Sequence, residues 1–181
     1  MYERGTQGRL LSSIRDPNPV VFMESKILCR FAVKQAPIDD YTIPLSCAET
    51  LILGSDLTLL IWGTPVYRCE SAIQLLNSPP SSLTPLILLS LRSVKIKLID
   101  LQIRSPWDMD AVVESVCRTK RLVIVHEAGM SGGVGSEIAA EISKGAFLRS
   151  EALVLATLHF EKFNMPDETK ILDGTVETLS Y

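Results

Sequence analysis

Residues 94–125 read VKIKLIDLQIRSPWDMDAVVESVCRTKRLVIV, and two periods follow one another within them. Val94 to Leu101 alternates apolar and polar residues, the two-residue period of a strand. Met109, Val112, Val113, Val116 and Cys117 then recur at the i, i+3, i+4, i+7, i+8 spacing of an amphipathic helix, which predicts that all of them face a core. Asp108 stands where an N-cap is needed, and Pro106 discourages an earlier start. Leu122 to Val125 closes the unit as an unbroken apolar strand, as expected where helices cover both faces of a sheet.

The same alternation extends outward. Leu57 to Trp62 reads as a buried strand, and Tyr67 to Leu76 as a helix with Cys69, Ala72, Ile73 and Leu76 on one face. Ser136 to Ile142 forms a helix after a Gly-rich turn. Met165 to Tyr181 reads as a surface helix docked by Leu172, Val176 and Leu179, with Tyr181 and the terminal carboxylate left for a partner. Strands alternating with helices predict a three-layer α/β domain with a mostly parallel sheet over residues 45–181. Residues 77–93 interrupt it with a Ser/Pro-rich, then leucine-rich, insertion that reads as a loop and offers an LILLSL patch for docking.

The first 44 residues are different. A helix and a strand, Pro19 to Met23, occupy residues 6–23, and together they cannot bury their own apolar faces. Residues 24–44, with Pro37 and Pro44, have no period and read as an extended linker. This part is expected to be an incomplete upstream unit that needs a partner.

Composition narrows the function classes. Of 181 residues, 46% are hydrophobic and 22% charged, enough to build a core. A formal charge of -3 gives no basic excess for nucleic acid. No apolar run is long enough for a membrane span, and the polar start resembles neither a secretory signal nor a transit peptide. Cys29, Cys47, Cys69 and Cys117 are widely spaced, form no C-x-x-C pair, and are expected to be reduced core residues.

Three places carry candidate chemistry. The turn Gly129 to Ser136 precedes a helix, but it lacks both the G-x-G-x-x-G spacing and the lysine of a P-loop; it is expected to be a tight turn using positive φ. His126-Glu127 ends a buried strand, at the sheet edge where ligands bind in open α/β folds. A histidine there could move a proton with Glu127 orienting it, or simply bond the neighbouring loop. Ser13, Asp16 and Asn18 place oxygens close together around Pro17, suited to a turn or to a hard cation. No nucleophile, acid–base pair or cofactor cradle is assembled, which points to a partner-dependent domain.

The order of motifs resembles one family. Its signals are Leu11-Ser12-Ser13-Ile14-Arg15-Asp16-Pro17-Asn18-Pro19-Val20, Phe22-Met23-Glu24-Ser25-Lys26-Ile27-Leu28-Cys29-Arg30 and Tyr41-Thr42-Ile43-Pro44-Leu45-Ser46. Ile99-Asp100-Leu101-Gln102, Pro106-Trp107-Asp108, His126-Glu127-Ala128, Gly132-Gly133, Glu137-Ile138, Phe163-Asn164-Met165-Pro166-Asp167 and Tyr181 follow in order. The chain resembles the β subunit of the branched-chain 2-oxo acid dehydrogenase decarboxylase, from about Arg4 onward. Glu24-Ser25-Lys26 with Arg30, and His126-Glu127-Ala128, favour it over the β subunit of pyruvate dehydrogenase, the alternative enzyme.

The resemblance implies a tail of a pyrimidine-binding α/β domain plus linker in residues 1–44, then a transketolase-type C-terminal domain over 45–181. It implies a thiamine diphosphate-dependent oxidative decarboxylation of branched-chain 2-oxo acids in branched-chain amino acid catabolism, with acyl transfer to lipoyl groups. It implies an α2β2 heterotetramer in the mitochondrial matrix: the α subunit, a second β subunit, and contact with the lipoyl acyltransferase core. The family's catalytic and thiamine residues match nothing in this chain, so no catalytic or cofactor residue carries over. A truncated, silent-alone subunit is therefore expected, or else a non-catalytic assembly module. A potassium site does carry over in part, to Ser13 (through its carbonyl), Asp16 and Asn18. Between Leu155 and Phe160 the family carries a Gly-x-Asp-x-Pro-type loop from the last strand toward the final helix; here Leu158 to Phe163 follows almost at once.

Overall fold

In the computed structural model, the described residues are 2–24, 40–77, 94–128, 132–147, 154–158 and 167–180. The chain divides into two compact units, Met1–Cys47 and Ala48–Tyr181.

The second unit is built on a five-stranded sheet. Its elements are β1 (Glu49–Ile52), β2 (Leu57–Ile61), α2 (Val66–Asn77), β3 (Ile96–Asp100), α3 (Met109–Thr119), β4 (Arg121–Val125), α4 (Val134–Phe147), β5 (Val154–Leu158) and α5 (Glu168–Leu179). The strand order is β1-β3-β2-β4-β5. The β3–β2, β2–β4 and β4–β5 pairs are parallel, and β1 runs antiparallel along β3 with a register shift between Thr50 and Ile52. The mostly parallel three-layer prediction therefore holds.

Parity along each strand sorts the core into two faces. Leu60, Ile99, Leu101, Leu122 and Ile124 meet Val112, Val113 and Val116 of α3 and Ile138 and Ile142 of α4. The alternate residues, Leu57, Leu59, Ile61, Ile96, Leu98, Val123 and Val125, are buried as well. They face α2 and α5, which pack together on the opposite side. All five residues of β2 are buried, the pattern of an interior parallel strand.

Local chemistry sets the helix ends. Asp108 caps α3 by accepting from Ala111 N at 3.1 Å through Oδ1, and its Oδ2 accepts from Ala48 N at 2.9 Å. Lys120, at φ 60°, ends α3 in the left-handed conformation, and its N–H returns to Val116 O. Asp167 caps α5 in the same way, accepting from Lys170 N at 2.9 Å. A buried hydroxyl cluster pins α3 to β2: Thr58 Oγ1 lies 2.9 Å from Ser115 Oγ and 2.8 Å from Thr119 Oγ1.

The first unit contains α1 (Tyr2–Arg15). One side of α1 packs on residues 41–43. A Cβ on Gly8 would lie 2.6 Å from the Tyr41 ring and 2.8 Å from Ile43. Ser12 Oγ donates to Ile43 O at 2.6 Å and accepts from Ile43 N at 3.1 Å.

Several expectations are corrected. Pro19 to Met23 belongs to no strand; Val20, Val21 and Met23 are 42%, 80% and 69% exposed. Strand-forming residues become a strand only when another strand supplies the ladder. Met109, assigned to the core, is 45% exposed, because it occupies the first helical position and overhangs the sheet. Among the described cysteines, Cys47 is exposed, Cys117 is half-buried and Cys69 is in the core, where burial pushes its thiol pKa up. Cys29 lies outside the described residues. The buried side of α5 is carried by Ile171, Leu172, Thr175 and Thr178, with Val176 and Leu179 only half-buried, because α5 contacts both the sheet and α2. Of the insertion read at 77–93, residue 77 ends α2 and residues 78–93 lie outside the described residues, as do His159 and Tyr181.

Candidate functional site

The connections of the sheet define where a ligand would be expected. From β2 the chain goes through α2 to β3; from β3 it crosses over β2 through α3 to reach β4, then passes through α4 to β5. The loops after the neighbouring strands β2 and β4 thus leave toward opposite faces. Such a switch point, at the carboxyl edge, is the usual ligand crevice of an open α/β sheet.

Here two aromatic rings occupy that edge. Trp62 follows β2 and His126 follows β4, and their ring centroids are 5.3 Å apart at an interplanar angle of 30°. His126 is only 1% exposed. On its other side the first turn of α4 closes in: a Cβ on Gly135 would lie 2.4 Å from His126 Nε2. Glycine is required there by close approach rather than by backbone conformation. Gly132, just before α4, does take the positive φ expected of this turn, at 72°. Gly129 to Ser131 lie outside the described residues.

His126 therefore packs between Trp62 and Gly135, while Glu127 is exposed. Asp100, 1% exposed at the end of β3, accepts from Gln102 N at 3.1 Å, with Gln102 itself at φ 58°. That bond terminates the strand. Lys97, on the α3 side of β3, is 9% exposed; desolvation lowers its pKa, and Arg118 adds to the effect against Glu114.

The oxygen cluster lies at the end of α1. Ser13 Oγ donates to Arg9 O at 2.8 Å inside the helix. Asp16 Oδ1 accepts from both Asn18 N and Asn18 Nδ2 at 2.9 Å. The last carbonyls of a helix lack intrahelical donors, and residue 17, which would serve the Ser13 carbonyl, is a proline without an N–H. The structure thus brings Asp16 and Asn18 together and leaves Ser13 a main-chain oxygen at the negative end of the helix. Oxygen donors of this kind are the type a hard cation takes, and the Asp16–Asn18 bonds are equally those of an ordinary turn. Beside it, the Asp40 carboxylate holds Arg15 at 2.6 Å and raises its pKa. Among the described residues, no three His, Cys, Asp or Glu side chains cluster as metal ligands, and no helix is long and apolar enough to cross a membrane.

The comparisons agree with the fold of the second unit. Residues 47–172 match the family described as transketolase, C-terminal domain. The chain belongs to that family. A split gene transketolase, solved as an inactive β4 tetramer, has the same fold, with a TM-score of 0.60 at 16% identity over 82% of this chain and 46% of that one. The mitochondrial 2-oxoisovalerate dehydrogenase subunit β 2 of Arabidopsis thaliana is 45% identical over 98% of this transketolase-type chain and 48% of its own length. A pyruvate dehydrogenase E1 β subunit of Acholeplasma laidlawii is 31% identical over 88% of this chain and 44% of its own length. The chain spans about half the length of the curated relatives it matches.

Proposed function

We propose that this chain serves as the C-terminal part of the β subunit of a branched-chain 2-oxo acid dehydrogenase decarboxylase, contributing assembly rather than chemistry. The observation that carries this reading is the 45% identity along 98% of the chain to a 2-oxoisovalerate dehydrogenase β subunit, against 31% over 88% for a pyruvate dehydrogenase counterpart. The burial of His126 between Trp62 and the first turn of α4 supports the assembly role.

On this reading the cofactor is held by other parts of an α2β2 assembly in the mitochondrial matrix, and the α subunit, a second β subunit and the lipoyl acyltransferase core are the partners. Residues 1–44 are then the tail of a pyrimidine-binding domain plus linker, and 45–181 the transketolase-type domain. Ser13, by its carbonyl, with Asp16 and Asn18, would hold part of a potassium ion's shell.

The test is capture of the full chain by two immobilised α subunits, one from a branched-chain decarboxylase and one from pyruvate dehydrogenase. Retention at micromolar concentration by the first alone is expected. Preference for the second would support the pyruvate dehydrogenase alternative, and retention by neither would reject both. With thiamine diphosphate but no other subunit, the chain should not decarboxylate 3-methyl-2-oxobutanoate.

A further inference from the structure

Lys97 stands where an ammonium is costly. It lies on β3 in register with Thr58 of β2, on the sheet face that α3 covers, and is 9% exposed. Among the described residues, no hydrogen bond or ion pair reaches its Nζ. The charges that act on it come from α3: Arg118 repels it and Glu114 attracts it, and those two pair with each other at 3.5 Å. A buried cation without an acceptor gives up hydration and gains no bond in exchange. Desolvation first, and then Arg118, hold the amine below the ordinary lysine pKa, which enlarges its uncharged, nucleophilic fraction.

We propose that Lys97 is a carbon dioxide site, where the uncharged amine adds to CO2 and the resulting carbamate is held by the Arg118 guanidinium. The nitrogen lone pair forms the new N–C bond, one C=O π pair moves onto oxygen, and the amine proton leaves to solvent. Nothing is oxidised, and no other group departs. The step replaces a cation that faces a like charge with an anion that faces an opposite one. Size selects the electrophile: CO2 is small and uncharged and can reach an amine with 9% exposure, where a bulky acyl donor is blocked. Burial disfavours the carbamate as it does the ammonium, so Arg118 decides the outcome. Glu114 opposes it, because it competes for Arg118 and repels the new anion. The proposal depends on Lys97 and its neighbours alone and holds whether or not the assembly reading does.

The experiment equilibrates the full chain with isotope-labelled bicarbonate at neutral pH, traps carbamates by alkylation with triethyloxonium, and locates the label by peptide mass spectrometry. Label on Lys97 at about tenfold the level on the exposed Lys95, Lys120 and Lys144 is expected. Lys97→Met should remove it. Arg118→Gln should lower it several-fold, and Glu114→Gln should raise it. Both α3 substitutions are at exposed positions, so an unchanged thermal melt separates a lost carbamate partner from a lost fold. No label on Lys97 overturns the proposal. So does label spread evenly over the lysines, or a level on Lys97 that Arg118→Gln leaves unchanged.

Discussion

The C-terminal unit closes on itself and the N-terminal unit does not. Among the described residues of 48–180, both faces of the sheet are covered, β2 is wholly buried, and His126 is buried beside Trp62 at the carboxyl edge. In the first unit, one helix packs on residues 41–43 through Gly8 and Ser12, while its Leu10 and Ile14 are exposed. Hydrophobic stabilisation scales with apolar area removed from water, so side chains of equal size contribute unequally in the two regions.

That contrast is broken most directly by paired truncations. Leu60→Ala opens a cavity among Ile99, Val112, Val116 and Ile124 and should cost about 3–4 kcal/mol in urea unfolding. Ile14→Ala, at a site 71% exposed, should stay within about 0.5 kcal/mol. Equal costs would show that the first unit is covered after all.

Gly135→Ala sharpens the closed side of the comparison. Its Cβ would lie 2.4 Å from His126 Nε2, in a buried site where the ring has little room to shift. The expected loss is about 1–3 kcal/mol, with a change in Trp62 fluorescence because the Trp62–His126 stack must move. An unaltered emission spectrum would argue against the interlock.

Lys97→Met tests whether the closed unit carries a charge at a cost. A lysine whose folded pKa is lowered binds fewer protons than in the unfolded chain, so its contribution improves as pH rises toward the ordinary lysine range. Replacing it with a neutral chain of similar length should stabilise by up to about 1 kcal/mol at neutral pH, and less at pH 10. A loss of stability would mean that attraction to Glu114 outweighs desolvation.

The smallest effect is the acid response. Asp56 is lowered by its hydrogen bonds from Ser55 Oγ, at 2.6 Å, and Lys95 N, at 2.8 Å. Asp167 is lowered by bonds from Lys170 N, at 2.9 Å, and Thr169 Oγ1, at 2.8 Å. Carboxylates held below their ordinary pKa stabilise above that value and lose the contribution as pH falls through the folded one. Both are largely solvated, so each Asn variant should flatten the stability–pH curve below about pH 4 by less than about 1 kcal/mol.

Legibility followed the same divide. Leu57 to Trp62, residues 94–101, Leu122 to Val125 and the helix after Asp108 could be read directly, because sequence-local periods and a cap residue specify them. The β1 edge strand was missed: four residues, half of them exposed, give no period to read. The run Pro19 to Met23 has strand composition but no partner, so composition overshot. Met109 fits the helical stripe, yet lies beyond the sheet's cover. At the candidate cation site, Asn18 N and Nδ2 both donate to Asp16 Oδ1, the local bonding of a turn that its sequence also allowed. His126 was legible as a strand-end residue. Its burial depended on Gly135 and Trp62, distant in the chain.

By itself, then, the sequence determined the alternation of strands and helices, the cap at Asp108, and the positive-φ turn near Gly132, because each depends on residues a few positions apart. Only the tertiary structure decided the order β1-β3-β2-β4-β5, the antiparallel edge, the burial of His126 beside Trp62 and the exposure of Leu10 and Ile14 on α1. Those depend on which distant surfaces meet, and burial is a property of the meeting rather than of either residue.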